Sequence, residues 1–219
     1  MSAPDFAKAR ENMVEQQVRP WDVLDVRVLD VLSTLPRDAF VPAPYRALAY
    51  ADLAVPLGHG EVMLKPVVEG RMLQALELQP TDDVLEIGTG SGFLSACLGG
   101  LARDVTSLEL HPDLAEAARA CLARLNLDAN VRIETADALA YDTDRRFDAV
   151  CVSAAVDAIP PRFLQWLRPG GRLFVVQGRA PAMKAVLVRN EADGARIESL
   201  FETVLPYLAG AAPAPEFQL

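Results

Sequence analysis

The chain has 219 residues, 51% of them hydrophobic and 23% charged, and a formal net charge of −9. That length buries a core as one domain with at most a small appendage, and the balance excludes wholesale disorder. The acidic excess argues against nucleic acid as a partner, because phosphate contacts need clustered Lys and Arg, and no run approaches the roughly 20 apolar residues of a membrane span.

Residues 5–17 are expected to be helical, with Phe6, Ala9, Met13, Gln16 and Gln17 on one narrow face. Their opening, MSAPDFAKARENMVEQQ, lacks the long apolar core of a secretory signal. Arg19-Pro20-Trp21-Asp22 stops this helix, and Asp22 stands as the N-cap of the next. Leu24, Val28, Val31 and Leu35 recur at helical spacing, which predicts a helix over 23–35 ended by Pro36. Residues 40–45, FVPAPY, are too proline-rich for a regular element. In AVPLGHGEVMLK, residues 54–65, Gly58-His59-Gly60 reads as a turn. Pro66 suits the first turn of a helix carrying Val68, Met72, Leu73 and Leu76.

The stretch DVLEIGTGSGF, residues 83–93, organises the remainder of the chain. A buried strand breaks into Gly88-Thr89-Gly90-Ser91-Gly92 and resumes as a helix from Phe93. Such a turn lets backbone approach a ligand closely while helix N–H groups point outward. Glu86, just before it, suits a cationic ligand better than a pyrophosphate; bracing of the turn by its carboxylate is the alternative. Strands then alternate with helices: strand 104–109, helix 112–125, strands 130–134 and 147–152, helix 161–167 and, after Arg168-Pro169-Gly170-Gly171, strand 172–177. That alternation predicts an α/β doubly wound, mostly parallel sheet covered on both faces. Two apolar runs, 184–189 and 199–204, read as an antiparallel hairpin closing one edge, and the Ala/Pro-rich 209–215 as loose linker. Cys97, Cys121 and Cys151 have neither metal spacing nor a disulfide pattern, so no metal site is expected and the thiols read as reduced, in the cytoplasm.

The third glycine of a dinucleotide fingerprint falls one residue early, at Gly92, so the surroundings decide the ligand. Glu109 ends the next strand about 20 residues on, placed for the two hydroxyls of a ribose. Asp137 follows a third strand, placed to accept from an adenine amino group. A solvated strand end for Glu109 and a simple turn role for Asp137 are the alternatives. All three carboxylates end successive strands and share the sheet's carboxyl edge.

Strand-E-x-G-x-G-x-G, an acidic strand end, an Ala-Asp loop and Arg-Pro-Gly-Gly-Arg-Leu before a strand resemble the class I S-adenosylmethionine-dependent methyltransferases over about residues 67–177. The resemblance implies that Gly88, Thr89, Gly90 and Ser91, with Gly92, wrap the methionine portion of S-adenosylmethionine. It also implies that Glu109 and Leu110 meet the ribose, and Asp137 and Ala138 the adenine. Upstream, Asn12-Met13-Val14-Glu15, Phe40-Val41-Pro42, Ala49-Tyr50-Ala51-Asp52, Pro56-Leu57-Gly58-His59-Gly60 and Pro66 occur in the order found in protein-L-isoaspartate O-methyltransferases. This extends the resemblance over nearly the whole chain and implies methylation of isoaspartyl carboxylates in damaged polypeptides. It further implies one domain: a helical cap and substrate-side loop at 1–65, a cofactor core at 66–180, and edge strands with a tail at 181–219.

One departure stands out. Where that family has Gln-Thr-Ile-Ser-x-Pro, this chain has Glu61-Val62-Met63-Leu64-Lys65-Pro66, with Leu64 at the serine position. A leucine cannot hydrogen-bond the acceptor carboxylate. Ser153 stands where the family tends to have glycine. His59 is a candidate to orient or deprotonate an acceptor, beside the alternative of a structural turn residue. The acceptor is therefore an isoaspartyl peptide or protein, or a small molecule reached by a remade pocket, with binding without turnover as a third reading.

Overall fold

The computed structural model of the chain describes residues 5–214. Its amino-terminal layer begins with α1 (Phe6–Met13), capped by Asp5, whose side chain accepts from the Lys8 N–H. The helix widens into a π turn over Val14–Val18 and tightens into a 3₁₀ turn at Arg19–Trp21. Helix α2 runs from Val26 to Thr34, three residues later than the spacing predicts. Its cap is Asp25, which accepts from the Arg27 N–H, whereas Asp22 lies in the left-handed region at φ 60°. The cause is tertiary: Gln74 Oε1 accepts the N–H groups of Leu24 and Asp25, and Gln74 Nε2 donates to the Asp22 carbonyl. Those bonds hold 22–25 out of the helix and leave Leu24 exposed.

Short 3₁₀ turns at Arg37–Ala39 and Ala43–Leu48 occupy the proline-rich stretch. A small antiparallel hairpin, β1 (Val55–Gly58) and β2 (Glu61–Met63), then carries the Gly58-His59-Gly60 turn. Helix α3 (Pro66–Ala75) comes next, with Pro66 in its first turn.

The centre of the molecule is a seven-stranded sheet. Its strands are β3 (Asp83–Ile87), β4 (Asp104–Glu109), β5 (Val131–Thr135), β6 (Phe147–Val156), β7 (Leu167–Gln177), β8 (Lys184–Glu191) and β9 (Gly194–Glu202). They lie in the order β5-β4-β3-β6-β7-β8-β9. The first five strands are parallel, and β8 and β9 add antiparallel at one edge, closed by the turn at Ala192-Asp193. β7 starts before the Arg-Pro-Gly-Gly turn, since Leu167 already pairs with Phe147, and a register shift absorbs the turn. Helices α4 (Phe93–Leu101), α5 (Pro112–Leu125) and α6 (Pro161–Gln165) complete the crossovers.

The two faces are covered unequally. Val84, Val105, Ala149 and Phe174 join residues of α2–α5 in one large apolar cluster. Leu85, Ile87, Val150 and Val175 face a smaller cluster closed by Phe163, Trp166, Tyr141 and Leu208. The segment beyond β9 is thus not a loose linker throughout. The Leu208 N–H donates to the Ala155 carbonyl and the Asp157 N–H to the Ala211 carbonyl, while Pro215 lies outside the described residues. Among the described residues no helix is long and apolar enough to cross a membrane.

Leu32 on α2 has no exposure and belongs to the cluster shared with α3 and α4. Leu32→Ala is expected to cost about 2–5 kcal/mol, read as a lower midpoint in urea unfolding. An unchanged midpoint would show that the amino-terminal layer does not belong to the cooperative core.

Candidate active site

The glycine turn is fixed from three sides. Above β3, the N–H groups of Gly88 and Thr89 donate to the Leu108 carbonyl of β4. From β6, the single Ser153 hydroxyl proton is shared between the carbonyls of Ile87 at 3.0 Å and Gly88 at 2.6 Å. A side chain at Gly88 has no room, because a Cβ there would collide with Ser153 Oγ, and its φ is +91°. From the end of β4, Glu109 Oε2 accepts the Gly90 N–H at 2.8 Å and Oε1 the His111 N–H at 2.9 Å. Glu109 is 4% exposed, and each oxygen keeps lone-pair capacity after one bond.

Glu86 departs from its expected place. Strand alternation puts Leu85 and Ile87 on one face of β3 and Glu86 on the face toward α4. It is fully buried there, beneath the turn, and does not line the cleft. Ser107 Oγ donates to Glu86 Oε2 at 2.5 Å, Ser95 Oγ donates to the same oxygen, and Thr89 Oγ1 in turn donates to Ser107. Its other oxygen, Oε1, is buried with no hydrogen-bond partner among the described residues. Burial pushes the Glu86 carboxyl up to about 8, with the nearby charges of Glu109 and Glu69 adding to the effect against the two serine hydroxyls. The bracing alternative is the one the geometry favours, through hydroxyls instead of backbone N–H groups.

The cleft itself opens at the carboxyl ends of β3, β4 and β5, with an empty volume of about 800 Å³ including its open mouth. Its lining includes Gly88, Thr89, Gly90 and Ser91 of the turn and Glu109, Leu110, Asp137 and Ala138 at and beyond the ends of β4 and β5. Gly92 is set back as the left-handed cap of α4, against Ala118. Asp137 does two things: Oδ1 accepts the Leu139 N–H in a turn, and the residue lines the cleft. The lining also takes in Glu61, Val62 and Met63 of β2, Leu64, Glu69 of α3 and Leu94 of α4.

His59 is not in the cleft. It sits exposed at φ 55°, stacks on His111 with ring centroids 4.0 Å apart, and brings Nε2 to 2.9 Å from Asp113 Oδ2. The hydrogen bond from His59 holds the Asp113 carboxyl below the usual range. It is His111, not His59, that lines the cleft; His59 lies beside that lining as a turn residue tied to α5 through Asp113.

Arg37 and Glu69 were not foreseen. Arg37 has no exposure, and its guanidinium donates to the carbonyls of Ala49 and Leu64 and to Glu69 Oε2. Its Cζ also lies 4.8 Å from the centroid of the Phe93 ring. Burial pushes the Glu69 carboxyl up to about 7, against the pull of Arg37 and with a push from Asp52. The available signal is a lone carboxylate among Val67, Val68, Gly70, Met72 and Leu73, with Arg71 the only other charge in that run.

A parallel sheet, a glycine turn after its central strand and an acidic residue ending the neighbouring strand define a class I methyltransferase fold and cleft. The family model described as protein-L-isoaspartate(D-aspartate) O-methyltransferase matches residues 8–207. A protein-L-isoaspartate O-methyltransferase of Koribacter versatilis is 37% identical over 195 residues, covering 87% of each chain. One of Methylorubrum extorquens is 41% identical over 175 residues, covering 80% of this chain and 76% of that protein. A Plasmodium falciparum chain solved in complex with S-adenosyl-L-homocysteine shares the fold with a TM-score of 0.79 at 18% identity, over 94% of this chain and 99% of that one. The chain belongs to the protein-L-isoaspartate(D-aspartate) O-methyltransferase family.

The raised carboxyls give the stability a definite pH dependence. Glu69 and Glu86 hold protons in the folded chain up to about 7 and about 8, whereas unfolded glutamate releases them near the ordinary 4.5. Their stability contribution is complete below 4.5 and is lost as pH rises through 7 and 8. The carboxyls held low, Asp25, Asp83 and Asp113, act only below their ordinary 3.8, outside that window. The melting temperature is therefore expected to fall from pH 6 to pH 8.5, and Glu86→Gln to flatten that fall and melt higher at pH 8.5. A wild-type melting temperature that rises across the range would contradict this.

Proposed function

We propose that the chain transfers a methyl group from S-adenosylmethionine to the free carboxylate of isoaspartyl residues in damaged proteins and peptides. The observation that carries this is the family match over residues 8–207, laid over a cleft built at the carboxyl edge of the sheet. A nucleoside-bearing ligand fits the residues present. Gly88 presents side-chain-free backbone to the cleft, its Cβ position being taken by Ser153 Oγ, and Glu109 is held by two N–H groups with acceptor capacity left for ribose hydroxyls. We assign Gly88, Thr89, Gly90 and Ser91 to the methionine portion, Glu109 and Leu110 to the ribose, and Asp137 and Ala138 to the adenine. Glu86 and Gly92 act from behind, by holding the turn and the start of α4.

When bound, the cofactor supplies a methyl group on a sulfonium. The protein is left with alignment and exclusion of water, since an acceptor carboxylate is already an anion at neutral pH and needs no general base. This suits the cleft, where His59 is absent and the acceptor end is framed by Val62, Met63, Leu64 and Leu94. The ester product can collapse to a succinimide and reopen as ordinary aspartate. We place the protein in the cytoplasm, where Cys97, Cys121 and Cys151 stay as free thiols.

A second reading, methylation of a small and more apolar acceptor, is favoured by one observation: Leu64 lines that end of the cleft and is buried. One experiment separates the two. Labelled cofactor is incubated with an isoaspartyl peptide and with its aspartyl control, while S-adenosylhomocysteine is titrated calorimetrically. The expected outcome is one-to-one binding and label on the isoaspartyl peptide alone. Binding with label on neither peptide moves the acceptor to the small-molecule class, and no binding removes the methyltransferase reading altogether.

A further inference from the structure

Arg37 donates at once to the Leu64 carbonyl and to Glu69 Oε2 through neighbouring nitrogens of one rigid guanidinium. A planar fork of this kind fixes its two acceptors side by side, so the Glu69 carboxyl stands next to the main chain of Leu64. Both residues line the cleft, and Glu69 is only 2% exposed. Arg37 occupies Oε2, and Oε1 has no hydrogen-bond partner among the described residues. A carboxyl oxygen so nearly cut off from water is a strong ligand-facing group, because leaving it unpartnered is costly.

We propose that Glu69 is the residue that recognises the acceptor carboxylate: its acid form donates a hydrogen bond from Oε1, supplying the hydroxyl that Leu64 cannot. The inference rests on the isoaspartyl function proposed above and names the group that makes it workable with a leucine at that position. The charged and titratable groups facing Glu69 come from several elements. They are Arg37 after α2, Asp52 before β1, Glu86 of β3 and Cys97 of α4. Burial keeps the Cys97 thiol neutral, and burial, helped by Asp52, favours the protonated form of Glu69 against the pull of Arg37. The chemistry balances without a proton transfer. One carboxylate oxygen of the acceptor receives the hydrogen bond, and a lone pair of the other forms the new C–O bond as the S–CH₃ bond breaks and its electrons return to sulfur. The proton stays on Glu69. An ionised Glu69 repels the acceptor instead, which makes this group a discriminator as well as a donor.

The test measures kcat/KM for an isoaspartyl peptide from pH 6 to pH 8.5 in wild type, Glu69→Gln and Glu69→Leu, with S-adenosylhomocysteine binding measured on each. Wild-type kcat/KM is expected to fall as pH rises through about 7, the acid form being present below that value. Glu69→Gln keeps both an oxygen for Arg37 and an N–H donor, so it should stay within about threefold of wild type at pH 6 and lose the fall. Glu69→Leu should lose about tenfold or more, with S-adenosylhomocysteine affinity changed by less than about threefold. Glu69→Leu also strands Arg37, so Glu69→Gln is the decisive variant if the leucine variant does not fold. A Glu69→Gln enzyme that retains the wild-type fall with pH, or a folded Glu69→Leu enzyme with wild-type kcat/KM, overturns the role of Glu69 alone. A wild type that labels no isoaspartyl peptide at any pH overturns the parent function and this role with it.

Discussion

The buried guanidinium of Arg37 is the constraint on which the rest of the acceptor side depends. Arg37 lies just beyond α2, yet its donors reach the carbonyl of Ala49, the carbonyl of Leu64 and the carboxyl of Glu69. Its Cζ lies over the ring of Phe93, the first residue of α4. One side chain therefore ties the amino-terminal layer, the end of the β1–β2 hairpin, α3 and the helix that leaves the glycine turn. A buried arginine without a partner is costly, and removing one member of such a pair typically destabilises by about 3–5 kcal/mol. The pair is better understood as fixing position than as a source of stability, since an apolar replacement of both members is often neutral.

The glycine turn is held in a complementary way, by neutral hydrogen bonds and one carboxylate that remains available. Glu109 fixes the Gly90 and His111 backbone on one flank, and Ser153 fixes the carbonyls of Ile87 and Gly88 on the other. Beneath, Glu86 collects the hydroxyls of Ser95 and Ser107. The two carboxylates thus have opposite environments. Glu109 meets two N–H donors and the cleft, while Glu86 meets apolar surroundings that favour its proton. Rigid support behind a ligand-facing backbone is what alignment of a methyl group with an acceptor requires.

Much of the sheet was legible because its signals are local. Short apolar strands, separated by Gly, Pro and Asp at the turns, mark β3 to β7 and the β8–β9 edge without reference to anything distant. The start of α2 was not, because Asp22 and Asp25 both precede an apolar run, and the choice between them is made by Gln74, about fifty residues away. Glu86 was misplaced for a different reason. Its negative charge suggests a place in the cleft, but the alternation of β3 turns residue 86 toward α4 and leaves the cleft to Ile87 and the turn. The backbone of the turn and the acidic residues ending β4 and β5 do reach the cleft, since a parallel sheet delivers successive strand ends to one edge. The Arg37–Glu69 pair spans 32 positions, and only packing reveals that the two meet. His59 shows the converse, a chemically capable residue that its turn sets against Asp113 and His111, outside the cleft lining.

Cofactor alignment and acceptor recognition meet at the junction of the glycine turn with α3, so a single ternary structure addresses both. The most direct measurement is a crystal structure with S-adenosylhomocysteine and an isoaspartyl peptide, grown below pH 7. The account predicts the thioether over Gly88–Ser91, the ribose on Glu109, and the isoaspartyl carboxylate within hydrogen-bond distance of Glu69 Oε1 beside Leu64. An isoaspartyl carboxylate bound by other groups, with Glu69 turned away from it, would contradict the account.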